Sequence, residues 1–269
     1  MSEDATRAGL AVDLQRNVLR VALNRPEVHN AMTPAMIAAL TDLFCGLSQR
    51  EDVRAVVLTG MGRSFCAGAD LAFMRAAADF TFEQNVADGE AIFDLMQAVD
   101  NCPKPVIGRI NGAAIGGGVG LVSCCDIVVA SEKAHFGLSE VRLGILPAVI
   151  SPFVLAKIGE ANGRELFLTG ERFDADHAHQ IGLVQHVVPH EQLDDKVDER
   201  VQQLMQAAPG AQADAKELIQ FVIKKPKNET RRYTANLIAQ RRASDEGREG
   251  MTSFLEKRKP SWQEADEIR

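Results

Sequence analysis

No apolar stretch in these 269 residues reaches the roughly 18 uncharged positions that a membrane-spanning helix requires; the longest candidate is cut by Asp126 and diluted with glycine. The first residues, MSEDATRAGLAVDLQRN, carry acids where a secretory leader needs a basic start, and Asp13 interrupts the apolar run that follows. Cysteine is scarce and unpatterned. The five residues at 45, 66, 102, 124 and 125 are odd in number, and no two are spaced as CxxC, which argues against a zinc ribbon or a dithiol redox centre and fits reduced thiols in a cytosol-like compartment. Positive charge is short as well: 30 Lys and Arg face 37 Asp and Glu, for a net charge of -7, so general affinity for nucleic acid or anionic membranes is not expected. Internal repeats and low-complexity linkers are lacking. With 46% hydrophobic and 25% charged residues, the chain has the composition of an ordinary soluble globular protein, expected in the cytoplasm.

What is present alternates between strand and helix. LAVDL and VLRVALN read as a strand pair turning at Arg16 and Asn17. TPAMIAALTDLFCGLSQ reads as a helix with Thr33 as N-cap and Pro34 at the first helical position. RAVVLTG, KPVIGRIN and DIVVAS read as strands, and residues 82 to 100 as a helix. From about residue 192 the pattern is helical throughout, which divides the chain into an α/β core, 1–191, and a helical region, 192–269, whose apolar stripes must pack on the core or on another subunit.

The densest chemical signal is AAIGGGVGLVSCCD, residues 113 to 126. A dinucleotide-binding fingerprint starting at Gly116 would need glycine or alanine at 121, where Leu121 stands; a P-loop starting at Gly112 would need lysine at 118, where Gly118 stands. What survives is a strand, a glycine turn and a helix beginning near Gly117 or Gly118. Its unpaired N–H groups and positive dipole end suit a developing anion, although tight strand-to-helix packing alone would also use such glycines. GRSFCAGADLAFM, residues 62 to 74, has the same character: small residues at 67, 68 and 69 follow a strand and precede a helix. Two such strand ends side by side could aim two N–H donors at one oxygen, each worth about 3 kcal/mol to a transition state.

Together FCAGADL, INGAAIGGGVGL, CCDIVVASEKAHFGLSEVRLGILP, LTGERFDADHAHQIGLVQHVV and FLEKRKPSW resemble the enoyl-CoA hydratase/isomerase (crotonase) superfamily, from the first strands to the last helix. VGLVSCCD, GLSEVR and LPAVISPFV are most similar to its methylglutaconyl-CoA or γ-carboxygeranoyl-CoA hydratase branch. The resemblance implies a spiral ββα superhelix followed by helices that build a homotrimer or a dimer of trimers. It implies an acyl-CoA substrate, and no metal or separate cofactor, since coenzyme A is part of the substrate. It places the oxyanion donors on the N–H groups of Ala69 and Gly117. The CoA moiety is expected along Ala67, Ala69, Asp70 and Leu71 and the loop of Arg25, His29 and Ala31, with Phe254 and Lys257 covering the nucleotide, often from a neighbouring subunit.

One position departs from that pattern. Hydratases of the family carry two glutamates; the first would fall on Gly120, and only the second is present, as Glu140. Desolvation in an apolar pocket would raise its pKa and suit it to proton transfer next to a polarised thioester. Hydration is the reading the motifs favour, with Δ3,Δ2-enoyl-CoA isomerisation or acyl-CoA decarboxylation as single-carboxylate alternatives. A non-catalytic acyl-CoA-binding or RNA-binding protein is the alternative of a different class, the latter resting on the basic stripe KKPKNETRRY with Arg241 and Arg242. Arg142 faces either a substrate carboxylate or the surface. His177 and His179, two apart on a helix, point in different directions and make a poor metal pair. His135 is expected to pack beside its strand, and Cys124 and Cys125 to lie in the core.

Overall fold

The computed structural model describes residues 3–264. Its core is a six-stranded sheet in the order β1-β2-β3-β5-β7-β10, made of Leu10–Gln15, Val18–Leu23, Ala55–Gly60, Val106–Ile110, Ile127–Ser131 and His186–Val188. Only the β1/β2 hairpin is antiparallel; the remaining pairs are parallel. The hairpin turns at Arg16 and Asn17, both in the left-handed region (φ 47° and 62°), as a two-residue turn matched to strand twist requires.

A second sheet, β4-β6-β8-β9, is built from the three-residue strands Ser64–Cys66, Ala113–Ile115, His135–Gly137 and Arg172–Asp174. By sequence pattern PVIGRI is expected to lead straight into the glycine turn. In the structure β5 ends at Ile110, and the chain crosses to the second sheet as β6 before that turn begins.

Helices α1 (Glu3–Arg7), α2 (Pro34–Gly46), α3 (Leu71–Ala77), α4 (Phe82–Asp100), α5 (Gly117–Cys124), α6 (Ser151–Thr169) and α7 (Ala175–Gln180) belong to this part of the chain. Thr33 caps α2 through its side chain, with Pro34 at the first position. Thr81 and Gln84 form a reciprocal capping box that starts α4. The main core lies between the two sheets and α2, α4, α5 and α6, around Phe44, Phe65, Leu95, Met96, Phe136 and Ile150.

The helical region runs α8 (Leu193–Met205), α9 (Pro209–Val222), α10 (Lys227–Ala243), α11 (Asp245–Glu256) and α12 (Ser261–Glu264). The first of these covers the outer face of the large sheet: Leu193, Val197 and Met205 meet Val18, Ala55, Val57, Ile107 and Val129. Strands buried on both faces explain why AVVL and IVVA read as continuous apolar runs rather than alternating ones. From Pro209 onward the helices bury almost nothing; Ser253 is the single buried residue of α9, α10 and α11. Helix α9 is tied to the core by polar contacts, Lys216 Nζ to Asp126 (2.7 Å) and Gln220 Nε2 to Asp100 (3.1 Å). Among the described residues, no helix is long and apolar enough to cross a membrane.

Candidate active site

The glycine turn sits where β6 hands over to α5. Parallel pairing of Ala114 with Phe136 and Ile115 with Gly137 sets β8 beside it, and the Gly116 N–H donates to the Gly137 carbonyl at 2.8 Å. Three residues beyond Gly137, a 3-10 turn over Ser139–Leu143 carries Glu140 back against the glycines. A methyl group placed on Gly116 would lie 3.0 Å from Glu140 Oε1. Gly116 itself has φ 53° and ψ -118°, a backbone combination that L side chains do not adopt comfortably.

On the other side, β4 pairs with β6 and delivers Ala67, Gly68 and Ala69. A methyl on Gly68 would be 2.9 Å from the Ile115 carbonyl oxygen and 3.7 Å from the Gly117 nitrogen, so the two strand ends touch. Neither the Ala69 N–H nor the Gly117 N–H donates to an acceptor among the described residues, whereas the neighbouring N–H groups of Ala67 and Asp70 donate to the carbonyls of His29 (3.0 Å) and Met32 (3.0 Å). Gly117 opens α5, where the first amides have no intrahelical partner.

Glu140 is half-buried. Its Oε2 is shut off from solvent and has no hydrogen-bond partner, and burial pushes the carboxyl above its ordinary value. A buried carboxylate oxygen with no donor is costly to keep charged, which is why burial outweighs the hydrogen bond the carboxyl accepts from its own backbone N–H.

The space beside Gly120, where the family's first glutamate would fall, is taken up by packing. A methyl on Gly120 would lie 2.5 Å from Ile150 Cγ2 and 3.1 Å from Met96 Sδ, and both of those side chains are buried. Nothing in the sequence around Gly120 signals this, because Ile150 reaches it from 30 residues further along the chain.

The loop of residues 25 to 32 is held by a buried polar network. Arg25 Nη1 donates to Asp70 Oδ2 (2.9 Å) and to the Ala31 carbonyl (2.7 Å), while Asp70 Oδ1 caps α3 by accepting from Ala72 and Phe73 N–H. The guanidinium, followed by the cap N–H groups, holds the Asp70 carboxyl below the usual range. Asn30, fully buried, accepts from the Arg25 N–H and donates to the carbonyls of Met61 and Ser64. His29 contacts Ser64 Oγ (2.8 Å) and Arg63 Nη2 (3.0 Å). Asn30, Met32, Met96 and Ile150 also line or brace this region, and no motif in the sequence marks them. Asn30 is the second of a consecutive left-handed pair with His29 (φ 54° and 58°), a conformation that asparagine tolerates better than most residues and that becomes visible only in the fold.

Leu71 and Ala69 are exposed beside these amides. Phe254, 82% exposed, and Lys257, the left-handed cap of α11, lie at the end of that helix, and no hydrogen bond or ion pair among the described residues ties them to the Arg25–Asp70 loop or to Glu140. Arg142 is exposed and donates to the Thr169 carbonyl (3.2 Å). His135 departs from expectation: it is a residue of β8 with its side chain exposed. His177 stacks edge-on with Phe173, and His179 turns away to the Val184 carbonyl. Among the described residues, no group of three or more His, Cys, Asp or Glu is placed to hold a metal ion. Arg241 is drawn out of the basic stripe by Asp214 and Glu246.

Two amides without acceptors at adjoining strand ends, with a desolvated carboxyl beside them, form an arrangement chemically able to grip a carbonyl oxygen and to move a proton near it. Comparison with known proteins agrees with that class. The profile of the family described as enoyl-CoA hydratase/isomerase matches residues 13–265. A crystal structure of an enoyl-CoA hydratase from Shewanella pealeana is 36% identical with a TM-score of 0.92, covering 97% of this chain and 100% of that one. AtuE of Pseudomonas aeruginosa is 35% identical with a TM-score of 0.92, over 95% of this chain and 99% of its own. The enoyl-CoA hydratase ACTT6 of Alternaria alternata is 38% identical over 211 residues, 78% of this chain and 69% of that protein. The chain belongs to the enoyl-CoA hydratase/isomerase family, and its mixed α/β architecture is that family's fold.

Proposed function

We propose that this protein is an enoyl-CoA hydratase, adding water reversibly across the α,β double bond of an acyl-CoA thioester. The thioester oxygen accepts from the N–H groups of Ala69 and Gly117, which draws electron density out of the double bond and stabilises the enolate. Glu140 takes a proton from the attacking water as its oxygen bonds to the β-carbon, then returns that proton to the α-carbon as the enolate collapses. The observation that supports this reading best is the buried, unpartnered Glu140 Oε2 beside the glycine turn. CoA is held along Arg25, His29, Ala31, Ala67, Asp70 and Leu71, and no metal or separate cofactor takes part. The acyl group is branched or carboxylated, of the 3-methylglutaconyl type, whose own distal carboxylate helps to place the water.

In this reading residues 1–191 form the acyl-CoA core, and residues 192–269 build a trimer or a pair of trimers and cover the nucleotide with Phe254 and Lys257. Exposed apolar side chains on α9, at its cap Ile223, and on α10 and α11, among them Ile219, Ile238 and Leu255, support a partner of the same kind. Free thiols support a reducing, cytoplasmic setting.

A second reading, Δ3,Δ2-enoyl-CoA isomerisation, is favoured by one observation: Ile150 and Met96 fill the place of a second carboxylate with apolar atoms. Incubation with crotonyl-, 3-methylcrotonyl-, 3-methylglutaconyl- and trans-3-hexenoyl-CoA, followed by mass spectrometry, separates the readings. Gain of water is expected. A shifted alkene alone would establish the isomerase, and loss of carbon dioxide a decarboxylase.

The packing around Gly120 leads to a further expectation. Gly120→Glu alone overfills the Ile150 contact, lowering stability by about 1–3 kcal/mol with no gain in hydration. Combined with Ile150→Ala, which clears the space, it should raise crotonyl-CoA hydration at least tenfold. Thermal melts and initial rates of the single and double variants check both statements.

A further inference from the structure

We propose that Met32 positions both carbonyl-facing amides, its backbone fixing one and its side chain the other. This inference rests on the reading of Ala69 and Gly117 as oxyanion donors.

Met32 is 3% exposed and pairs with Ala69 in an isolated parallel bridge. Its N–H donates to the Gly68 carbonyl at 2.7 Å, and its carbonyl accepts from the Asp70 N–H at 3.0 Å. In a parallel bridge the residue between the two bonded neighbours turns its own N–H and carbonyl to the opposite side. Met32 thereby fixes the peptides on both sides of Ala69 and directs the Ala69 N–H away from residues 31 to 33.

The same residue reaches the second donor through its side chain. A methyl placed on Gly117 would sit 2.6 Å from Met32 Cε, so the end of the thioether chain closes directly on the Gly117 α-carbon. Gly117 is the first residue of α5, where no intrahelical hydrogen bond holds its N–H. Gly116 before it carries no side chain to restrain the peptide. Packing by Met32 supplies that restraint. Met32 is a positioning residue: it acts on the two amides rather than on the reacting carbons, and it couples the spacing of the two donors through its backbone on one side and its packed side chain on the other. A displacement of about 1 Å at such a donor is enough to cost on the order of a hundredfold in rate.

The test uses 4-(dimethylamino)cinnamoyl-CoA, a chromophoric enoyl thioester whose absorption moves to longer wavelength when its carbonyl is polarised. Met32→Ala should lose at least half of the wild-type shift and lower kcat about 10- to 100-fold, with KM for the acyl-CoA changed less than threefold. Met32→Leu, which restores the packing volume, should regain most of the shift. Met36→Ala removes an equally buried methionine from the next turn of chain and serves as the stability control; it should lower the melting temperature and keep the full shift. Retention of the whole shift in Met32→Ala would overturn the proposal, as would a loss in Met36→Ala proportionate to its destabilisation. If Met32→Ala does not fold, Met32→Val is read by the same criteria. If the wild type itself shows no shift on binding, the assignment of the two amides fails, an outcome distinct from failure of the role of Met32.

Discussion

Glu140→Gln is expected to lower turnover by about 10³-fold while leaving acyl-CoA binding within a few-fold of wild type. Glutamine keeps the shape of the side chain and removes the proton acceptor. No other carboxylate replaces it, because the space at Gly120 is filled by Ile150 and Met96. The same substitution should raise the melting temperature at neutral pH. Burial lifts the Glu140 pKa in the folded chain above its unfolded value, so the stability this group contributes is fully present below the unfolded pKa and is lost as pH rises through the folded one. Above the folded-state pKa the ionised carboxylate is therefore a burden on the fold that the glutamine variant does not carry. Activity runs in the opposite direction: the basic form is the working one, so kcat/KM should fall on acidification at a pH above the ordinary glutamate value of about 4.3. Rates and melts of wild type and Glu140→Gln between pH 4 and 8 check both signs. A variant that retains a tenth of wild-type turnover would remove Glu140 from the chemistry.

Gly116→Ala should have an effect on activity of comparable size for a different reason. At φ 53° and ψ -118° an alanine is strained by about 1–3 kcal/mol, and its methyl would stand 3.0 Å from Glu140 Oε1. Relief of the strain rotates the 116–117 peptide, which re-aims the Gly117 N–H, while relief of the contact displaces the carboxyl. Both halves of the site move together, and a loss of at least 10²-fold in kcat is expected with a modest fall in melting temperature. Initial rates beside a thermal melt decide the point: loss of stability with normal turnover would show that the turn has no part in catalysis.

The elements legible from sequence are those long enough for periodicity to speak. The hairpin turning at Arg16 and Asn17, the Thr33–Pro34 helix start and the helix over 82–100 occur where expected, since local turn and cap chemistry decide them. The second sheet was not legible. Strands of three residues such as β4, β6, β8 and β9 are too short to show alternation, and their pairing is fixed by neighbours 22 to 49 residues away. Glu140 could be singled out by motif, yet its desolvation depends on the β6–β8 register, which no local pattern encodes. The filling of the Gly120 space by Ile150 is likewise a property of packing, invisible until α5 and the start of α6 are set against each other. The paired ends at residues 69 and 117 were inferable as two similar small-residue turns, and what the fold adds is their contact through Gly68 and Ile115.

The cysteines have a practical consequence. Cys45 is exposed, while Cys66, Cys102, Cys124 and Cys125 are buried, and burial pushes the Cys66 and Cys125 thiols up to about 12. Only the thiolate attacks an electrophile, so a maleimide dye should modify the native chain once, at Cys45, and all five sulfurs once the chain opens. Slow incorporation of the remaining four labels then serves as a clock for global opening, read by mass without any optical signal from the lone tryptophan.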